Sequence, residues 1–254
     1  MNPLEIELVP CLTDNYAYLV RDAESGLCAI VDPSEPDPVR KALAKRGWKL
    51  THILNTHHHP DHTGGNVPLK KEFGATVVGP AKDRERIAAI DVGVEEGKPW
   101  SFGAHKVEIL EIPAHTRGHI GFVIGDAAFT GDTLFAMGCG RLFEGTPEMM
   151  WSSLSKLMRL PDATRIYCGH EYTLNNGRFA LTLEPGNPAL QARMREVEAL
   201  RAKGAATIPS TMGLEKETNP FLRPHSAGLR KTLGLEGAGD VEVFAETRRR
   251  KDSF

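Results

Sequence analysis

Short apolar runs alternate with helix-like segments over the first two thirds of the chain. The runs have the length of buried strands, and the helix-like segments 37–46 and 67–73 are each followed by a glycine, a common helix terminator. Gly125-Asp126 forms a short turn between two of the runs, which predicts a hairpin. This alternation is typical of an α/β fold. The predicted strands are 4–8, 16–20, 27–31, 51–54, 76–78, 107–112, 121–124, 127–130 and 165–168.

The pattern changes after about residue 172, where the strand-like runs largely stop. Leu190, Met194, Val197 and Leu200 recur at helical spacing, and 241–251 predicts a further helix. We therefore expect an α/β sandwich that carries the chemistry over residues 1–171, followed by a helical domain over residues 172–254.

Composition narrows the class of protein. The 254 residues are 41% hydrophobic and 25% charged, as in ordinary globular proteins, and the net charge of −2 argues against nucleic acid or an anionic membrane as the main partner. The apolar runs are much shorter than the ~20 residues of a membrane span. The first nine residues carry two glutamates and no basic segment, unlike a signal peptide. Four scattered cysteines without a CxxC pair favour reduced thiols and a cytoplasmic location.

The histidines are concentrated in one place. The chain has ten, and four of them fall in the segment T-H-H-H-P-D-H at 56–62, which contains the pattern H-x-H-x-D-H directly after a predicted strand. We expect this segment to be a loop on which His57, His59, Asp61 and His62 converge. Imidazole and carboxylate together suit Zn, Fe, Mn or Co. One tetrahedral ion does not need so many ligands from one loop, so the pattern predicts two ions.

Three more candidate ligands follow predicted strands further along the chain: His115, Asp132 and His170. Loops at strand ends are where active-site residues gather in layered α/β folds. The full set of five histidines and two aspartates divides into three histidines on one ion, Asp61 with two histidines on the other, and Asp132 as a bridge.

Other polar residues near these motifs have simpler interpretations. His58 alternates with the ligand positions and is expected to point away from them. His119 is a candidate support for a ligand. Asp32 either caps a turn or buttresses a ligand, and His52, His105 and His225 are interpreted as structural.

The motif T-H-x-H-x-D-H resembles the hallmark of the metallo-β-lactamase superfamily, and several further motifs resemble one of its families, glyoxalase II (hydroxyacylglutathione hydrolase). These segments extend over essentially the whole chain, and those near the C-terminus are the most specific to the family. They are P-C-L-T-D-N-Y at 10–16, P-A-H-T-R-G-H at 113–119, F-T-G-D-T-L-F at 129–135, G-C-G-R-L-F-E-G-T at 138–146, G-H-E-Y at 169–172, N-P-F-L-R at 219–223 and R-x-x-K-D-x-F at 248–254.

The resemblance implies a four-layer αβ/βα metallo-β-lactamase sandwich with a C-terminal helical extension, and it assigns the ligands. His57, His59 and His115 would hold the first ion, Asp61, His62 and His170 the second, and Asp132 would bridge them. Zinc is favoured for both divalent ions, with iron or manganese as alternatives. Asp61 would also orient the attacking hydroxide.

The resemblance also implies a glutathione site. Arg141, Tyr172, Arg248 and Lys251 stand where the family has substrate-binding side chains. Phe143 occupies a position often filled by tyrosine, so one hydroxyl contact to the substrate would be lost there, although a backbone N–H can serve. Arginine and lysine suit the carboxylates of glutathione.

The implied reaction is metal-dependent hydrolysis of S-(2-hydroxyacyl)glutathione thioesters, such as S-D-lactoylglutathione to D-lactate and glutathione, in methylglyoxal detoxification. A bound divalent ion lowers the pKa of water to about 7 and so supplies metal-bound hydroxide. A thiol with a pKa near ~8.5 can leave as thiolate without a general acid. We expect a monomer that acts on a small molecule.

Three alternatives remain at the level of sequence. An Fe(II) persulfide dioxygenase on the same fold would use His57, His115 and Asp132, but such enzymes generally lack the helical extension, and the N-P-F-L-R and R-x-x-K-D-x-F segments argue against one. A β-lactamase or lactonase gives the basic C-terminal segment no clear purpose. A metal-stabilised binding protein without turnover needs only four ligands, not seven.

Overall fold

The structure is a computed structural model that describes residues 4–254. The chain forms two compact units. The first contains residues 4–111 and 118–131, and the second contains residues 112–117 and 132–254. Among the described residues, no helix has both the length and the apolar character needed to cross a lipid bilayer.

The first unit begins with a six-stranded mixed sheet in which the strands follow their order along the chain. The first three strands are antiparallel, and the last three join in parallel register, for example Ile30 opposite Ile53 and Ile53 opposite Val77. Parallel neighbours need crossover connections, and helices supply them here. The strands are β1 (Glu5–Cys11), β2 (Asn15–Arg21), β3 (Cys28–Val31), β4 (His52–Leu54), β5 (Thr76–Pro80) and β6 (Val92–Val94).

Two of the connecting helices confirm the predicted pattern. Helix α1 (Pro36–Arg46) begins with a proline in its first turn and ends at Gly47, whose φ of 66° lies in the left-handed region. Helix α2 (Pro60–Thr63) is a single turn inside the histidine-rich segment, and α3 (Asn66–Phe73) ends at Gly74. Apolar side chains of α1, α3 and the sheet form one buried cluster that fixes the strand ends.

Four further strands of the first unit form an antiparallel meander: β7 (Trp100–Phe102), β8 (His105–Glu111), β9 (Ile120–Ile124) and β10 (Ala127–Gly131). The predicted hairpin is confirmed, with Ala127 paired to Ile124 across Gly125-Asp126. The meander packs on the first sheet, since the rings of Tyr18 and Phe129 lie 5.7 Å apart. This pairing of two sheets is the core of the predicted sandwich.

The second unit is mainly helical. Its first long helix, α4 (Pro147–Leu157), is capped by Thr146, whose side chain accepts a hydrogen bond from the Met149 N–H. A short hairpin of two strands precedes α4, and a second antiparallel strand pair has two of the unit's helices between its strands along the chain. The strands are β11 (Leu134–Phe135), β12 (Gly138–Cys139), β13 (Arg165–Cys168) and β14 (Ser210–Thr211), and the remaining helices are α5 (Thr173–Leu183), α6 (Pro188–Ala202), α7 (Met212–Thr218), α8 (Ala227–Leu233) and α9 (Asp240–Asp252).

One expectation about the histidine-rich segment is wrong in detail. Residues Pro60–Thr63 form a helical turn, whereas the sequence predicted a loop throughout. Proline at the first helical position and the acidic Asp61 near the N-terminus favour this turn. The short strands β6 and β7 were not predicted, because three residues are too few to show a period.

Candidate metal and substrate site

The first unit gathers one group of candidate ligands at the ends of β3 and β4. His57 Nε2 lies 3.1 Å from His59 Nδ1, and His62 Nε2 lies 3.5 Å from Asp61 Oδ2. When two ligand atoms each lie about 2.05 Å from the same tetrahedral metal ion, the distance between the two ligand atoms is about 3.3 Å. Both pairs therefore have the spacing of neighbouring ligands on one metal ion.

Asp32 contacts one of these imidazoles directly and a second one through the Thr56 hydroxyl. Its Oδ2 lies 3.2 Å from His62 Nδ1 and also accepts a hydrogen bond from the Thr56 hydroxyl, whose oxygen lies 3.0 Å from His57 Nδ1. A carboxylate partner at Nδ1 fixes the proton there and turns the Nε2 lone pair toward a metal. Asp32 thus supports two candidate ligands, which favours one of the two interpretations that the sequence left open.

The neighbouring histidines have other partners. His58 Nδ1 lies 3.2 Å from Asp83 Oδ2, and Arg86 donates two further hydrogen bonds to that carboxylate. The His119 ring stacks on the His57 ring at 4.6 Å and 17°. His58 therefore faces a buried acid, as the sequence pattern favoured, and His119 packs against a candidate ligand.

The second unit brings the remaining candidate ligands together. Asp132 Oδ2 lies 3.4 Å from His115 Nε2 and 3.3 Å from His170 Nε2. One carboxylate oxygen at the tetrahedral edge distance from two imidazoles is the arrangement expected of a bridging ligand. His115 Nδ1 donates to the Arg141 carbonyl at 3.0 Å, which directs its Nε2 toward Asp132.

Gly140 permits this close packing. A Cβ at this position would collide with the Asp132 carbonyl oxygen and would lie 3.0 Å from His115 Nδ1. The Gly140 N–H donates to the Thr133 carbonyl, and the Thr133 hydroxyl donates to the Ile112 carbonyl. The segment that carries Asp132 is therefore fixed at several backbone points.

The candidate substrate residues of the second unit form a basic and aromatic group. Arg248 is only 5% exposed: it donates to the Cys139 carbonyl at 2.9 Å and pairs with Asp252 at 2.8 Å. Lys251 Nζ lies 5.3 Å from the centre of the Phe179 ring and 4.9 Å from that of Phe254.

Burial is the main reason that the pKa of Lys251 falls to about 8, and the positive charges of Arg248 and Arg141 lower it further. Asp252, which pairs with Arg248, raises this pKa in part but leaves a net positive charge on the group, and such a group is suited to an anionic ligand.

Aromatic side chains connect this group to the candidate ligands of the same unit. The Tyr172 ring stacks on the His170 ring at 4.7 Å and 4°, and the Phe143 ring lies 5.2 Å from that of His115. Phe143 is 61% exposed, in agreement with a role at the rim of a binding site. Phe135 was not singled out from the sequence, yet its ring contacts both His170 and Tyr172.

A buried polar network supports the hairpin that carries Phe135 and Cys139. Asn219 Nδ2 donates to the carbonyls of Phe135 and Gly138, and Glu215 accepts from the Met137 N–H. Arg193 pairs with the same glutamate. The sequence signal was the N-P-F-L-R segment, in which Asn219 is the first residue.

Comparison with known proteins shows the family of the chain. Residues 12–170 match the family model described as the metallo-beta-lactamase superfamily, and residues 171–254 match the model described as the hydroxyacylglutathione hydrolase C-terminus. The described residues therefore combine a metallo-β-lactamase fold with His/Asp clusters of the composition that a binuclear metal site needs.

Individual relatives cover the full length. A hydroxyacylglutathione hydrolase of Methylococcus capsulatus is 55% identical over 99% of both chains, and one of Ruegeria pomeroyi is 50% identical over 99% of this chain and 100% of its own. Among solved structures, ETHE1 from Myxococcus xanthus matches with a TM-score of 0.69 and 25% identity over 98% of this chain and 90% of its own. TTHA1623, solved in a di-iron-bound form, matches with a TM-score of 0.61 and 26% identity over 84% and 98%.

Proposed function

Because the chain belongs to the hydroxyacylglutathione hydrolase family of the metallo-β-lactamase superfamily, we propose that it hydrolyses S-D-lactoylglutathione to D-lactate and glutathione, as a step in methylglyoxal detoxification. The chain is a thioester hydrolase by its full-length relatives. The observation that carries the proposal is the presence, in one chain, of both the metal-ligand clusters and the C-terminal segment that matches the hydrolase model.

We propose that two divalent ions bind in the division that the family resemblance implies. His57, His59 and His115 hold the first, Asp61, His62 and His170 hold the second, and Asp132 bridges them. The support comes from the four ligand-atom distances of 3.1–3.5 Å within the two units. Zinc is the proposed metal, since it favours imidazole and carboxylate at tetrahedral sites, and the same ligands also accept iron or manganese.

Divalent ions at these residues would supply hydroxide near neutral pH and polarise the thioester carbonyl. The protein's part is orientation. We propose that Asp61 would orient the attacking hydroxide by accepting a hydrogen bond from it, and that the contact of Asp32 at His62 Nδ1 fixes the direction of that imidazole. The departing thiol has a pKa near ~8.5, so the reaction does not require a protein acid to protonate it.

We propose that residues 172–254 form the glutathione-binding domain, together with Arg141 and Phe143. Arg248 is held rigidly by Cys139 and Asp252, so little side-chain entropy is lost when it contacts a carboxylate. Lys251 adds a charge beside it, and Tyr172 offers a hydroxyl next to the His170 ring. We further propose a monomer in the cytoplasm, where the four buried cysteines would stay reduced.

The test is hydrolysis of S-D-lactoylglutathione by the purified protein, alongside elemental analysis and oxygen uptake with glutathione persulfide. We expect thioester cleavage, about two metal ions per chain and no oxygen consumption. Oxygen uptake with one iron per chain would instead support the dioxygenase alternative, which uses His57, His115 and Asp132. Size-exclusion chromatography with light scattering tests the monomer, and fractionation of the cell tests the location.

A further inference from the structure

Asn15 lies at the end of the β1–β2 hairpin, with its side chain turned inward. It is the first residue of β2, pairs with Cys11 across the turn and is only 5% exposed. The Leu12 N–H in this turn donates to Glu35 Oε1 at 2.9 Å, which fixes the hairpin end. A buried amide in such a fixed position needs hydrogen-bond partners of its own.

Both of the hydrogen bonds that Asn15 Nδ2 donates end on one residue, Asp61. One goes to the Asp61 carbonyl oxygen at 3.2 Å and the other to Asp61 Oδ2 at 3.0 Å. The two hydrogens of the amide nitrogen thus match two acceptors. A clamp on both backbone and side chain restricts the rotation of the carboxylate about its own bonds.

The helix that carries Asp61 is too short to give this support itself. Helix α2 has four residues, and the Gly65 N–H, which would reach the Asp61 carbonyl in a longer helix, donates to the Pro33 carbonyl at 2.8 Å instead. The Asn15 amide takes the place of that missing donor.

The clamped oxygen is also the one that faces the neighbouring imidazole. Asp61 Oδ2 lies 3.5 Å from His62 Nε2, near the tetrahedral edge distance, while His62 Nδ1 lies 3.2 Å from Asp32 Oδ2. Each of these two adjacent candidate ligands therefore has a buried polar partner behind it. For His62 the partner is an anion, and for Asp61 it is a neutral amide.

A neutral side chain suits the position of Asn15 beside a metal site. A lysine or arginine in place of Asn15 would orient the carboxylate equally well, but its charge would oppose a divalent cation a few ångströms away. An amide donates hydrogen bonds without adding positive charge.

We propose that Asn15 is a positioning residue that presents Asp61 to the second metal ion and to the attacking hydroxide. This inference rests on the proposed function for its catalytic consequence, whereas its consequence for metal binding stands on the contacts alone. Removing a residue that orients a metal ligand typically weakens metal affinity by about 10–100-fold.

The test is titration of the metal-free protein with Co²⁺ against a competing chelator, followed by its visible absorption. We expect Asn15→Ala to weaken one of the two binding events by about 10–100-fold and to leave the other within about twofold. In turnover, kcat should fall while KM for the thioester stays near the wild-type value, because the basic residues that bind glutathione are untouched. Equal affinities for both ions in variant and wild type would overturn the proposal.

Two further variants separate positioning from general stability. Asn187→Ala removes a helix cap in the second unit, where the side chain accepts from Ala189 and Leu190, so it lowers stability without altering the metal titration. Asn15→Gln keeps the amide but displaces it by one methylene. The clamp predicts weakened Co²⁺ binding in this variant, and wild-type binding would mean that the position needs only a polar group.

The same measurements distinguish failure of the proposed function from failure of the proposed role of Asn15. A wild-type protein that binds two Co²⁺ ions but cleaves no glutathione thioester would reject the function, while the Asn15 titration would still decide the positioning role. If circular dichroism shows that Asn15→Ala does not fold, the metal titration is carried out on Asn15→Gln instead.

Discussion

The lowered pKa of Lys251 predicts how substrate affinity depends on pH. The ammonium lies 5.3 Å from the Phe179 ring centre and 4.9 Å from that of Phe254, and burial together with Arg248 and Arg141 lowers its pKa to about 8. An exposed lysine titrates near ~10.4. The charge that we assign to glutathione binding is therefore lost as the pH rises through about 8, well within the range of an ordinary assay.

The size of the effect follows from the protonated fraction. With a pKa of about 8, roughly 90% of Lys251 is charged at pH 7 and about 10% at pH 9. If only the charged form binds the thioester, KM rises about tenfold over these two pH units, which corresponds to about 1.4 kcal/mol of binding free energy. A lysine with the ordinary pKa would stay almost fully charged and would leave KM unchanged.

The assay is the pH dependence of kcat and KM for S-D-lactoylglutathione between pH 6.5 and about 9.5, corrected for spontaneous hydrolysis. Lys251→Arg is the matched control, since the guanidinium stays charged throughout. We expect the rise in KM near pH 8 in the wild type and not in this variant. The same rise in both proteins would refute the reasoning, because it would then come from the substrate or from another group.

Further substitutions test the ligand, substrate and support assignments. Asp132→Ala should remove most bound metal and turnover, and normal activity with both ions retained would contradict the bridge. Arg248→Ala with Lys251→Ala should raise KM more than it lowers kcat; a pure kcat effect would reject the substrate role. Phe143→Tyr should lower KM severalfold at constant kcat if the missing hydroxyl matters. Glu215→Ala should lower the free energy of unfolding in urea by about 3–5 kcal/mol, since Arg193 would remain buried without its ion-pair partner.

The sequence predicted the parts of the fold that have a clear period or terminator. The strands around Ile30, Ile53 and Val77 are buried apolar runs, and the helix ends at Gly47 and Gly74 depend on residues that tolerate a left-handed backbone. The candidate ligands could be picked out for a related reason, since they all lie shortly after strands that the sequence predicted.

What the sequence could not show are contacts between residues far apart in the chain. Nothing local indicates that Glu215 accepts from the Met137 N–H, or that Arg248 donates to the Cys139 carbonyl. Such pairs join segments that are 78 and 109 residues apart. The helical turn in α2 was missed because four residues cannot establish a 3.6-residue period.

These long-range contacts explain why the family-like segments extend beyond the ligands themselves. Asn15 in the segment P-C-L-T-D-N-Y donates a hydrogen bond to Asp61. Asn219, the first residue of N-P-F-L-R, donates to the Phe135 carbonyl, and Arg248, the first residue of R-x-x-K, donates to the Cys139 carbonyl. None of these three side chains is a candidate metal ligand. Each of them holds in place a segment that contains a candidate ligand or lies next to one. A metal or substrate site needs side chains held within about 0.5 Å of a working geometry, so supporting residues are constrained almost as tightly as ligands. The segments that resemble the family thus include side chains that hold candidate ligands or their neighbours in place, and such contacts between distant segments are what the sequence alone could not show.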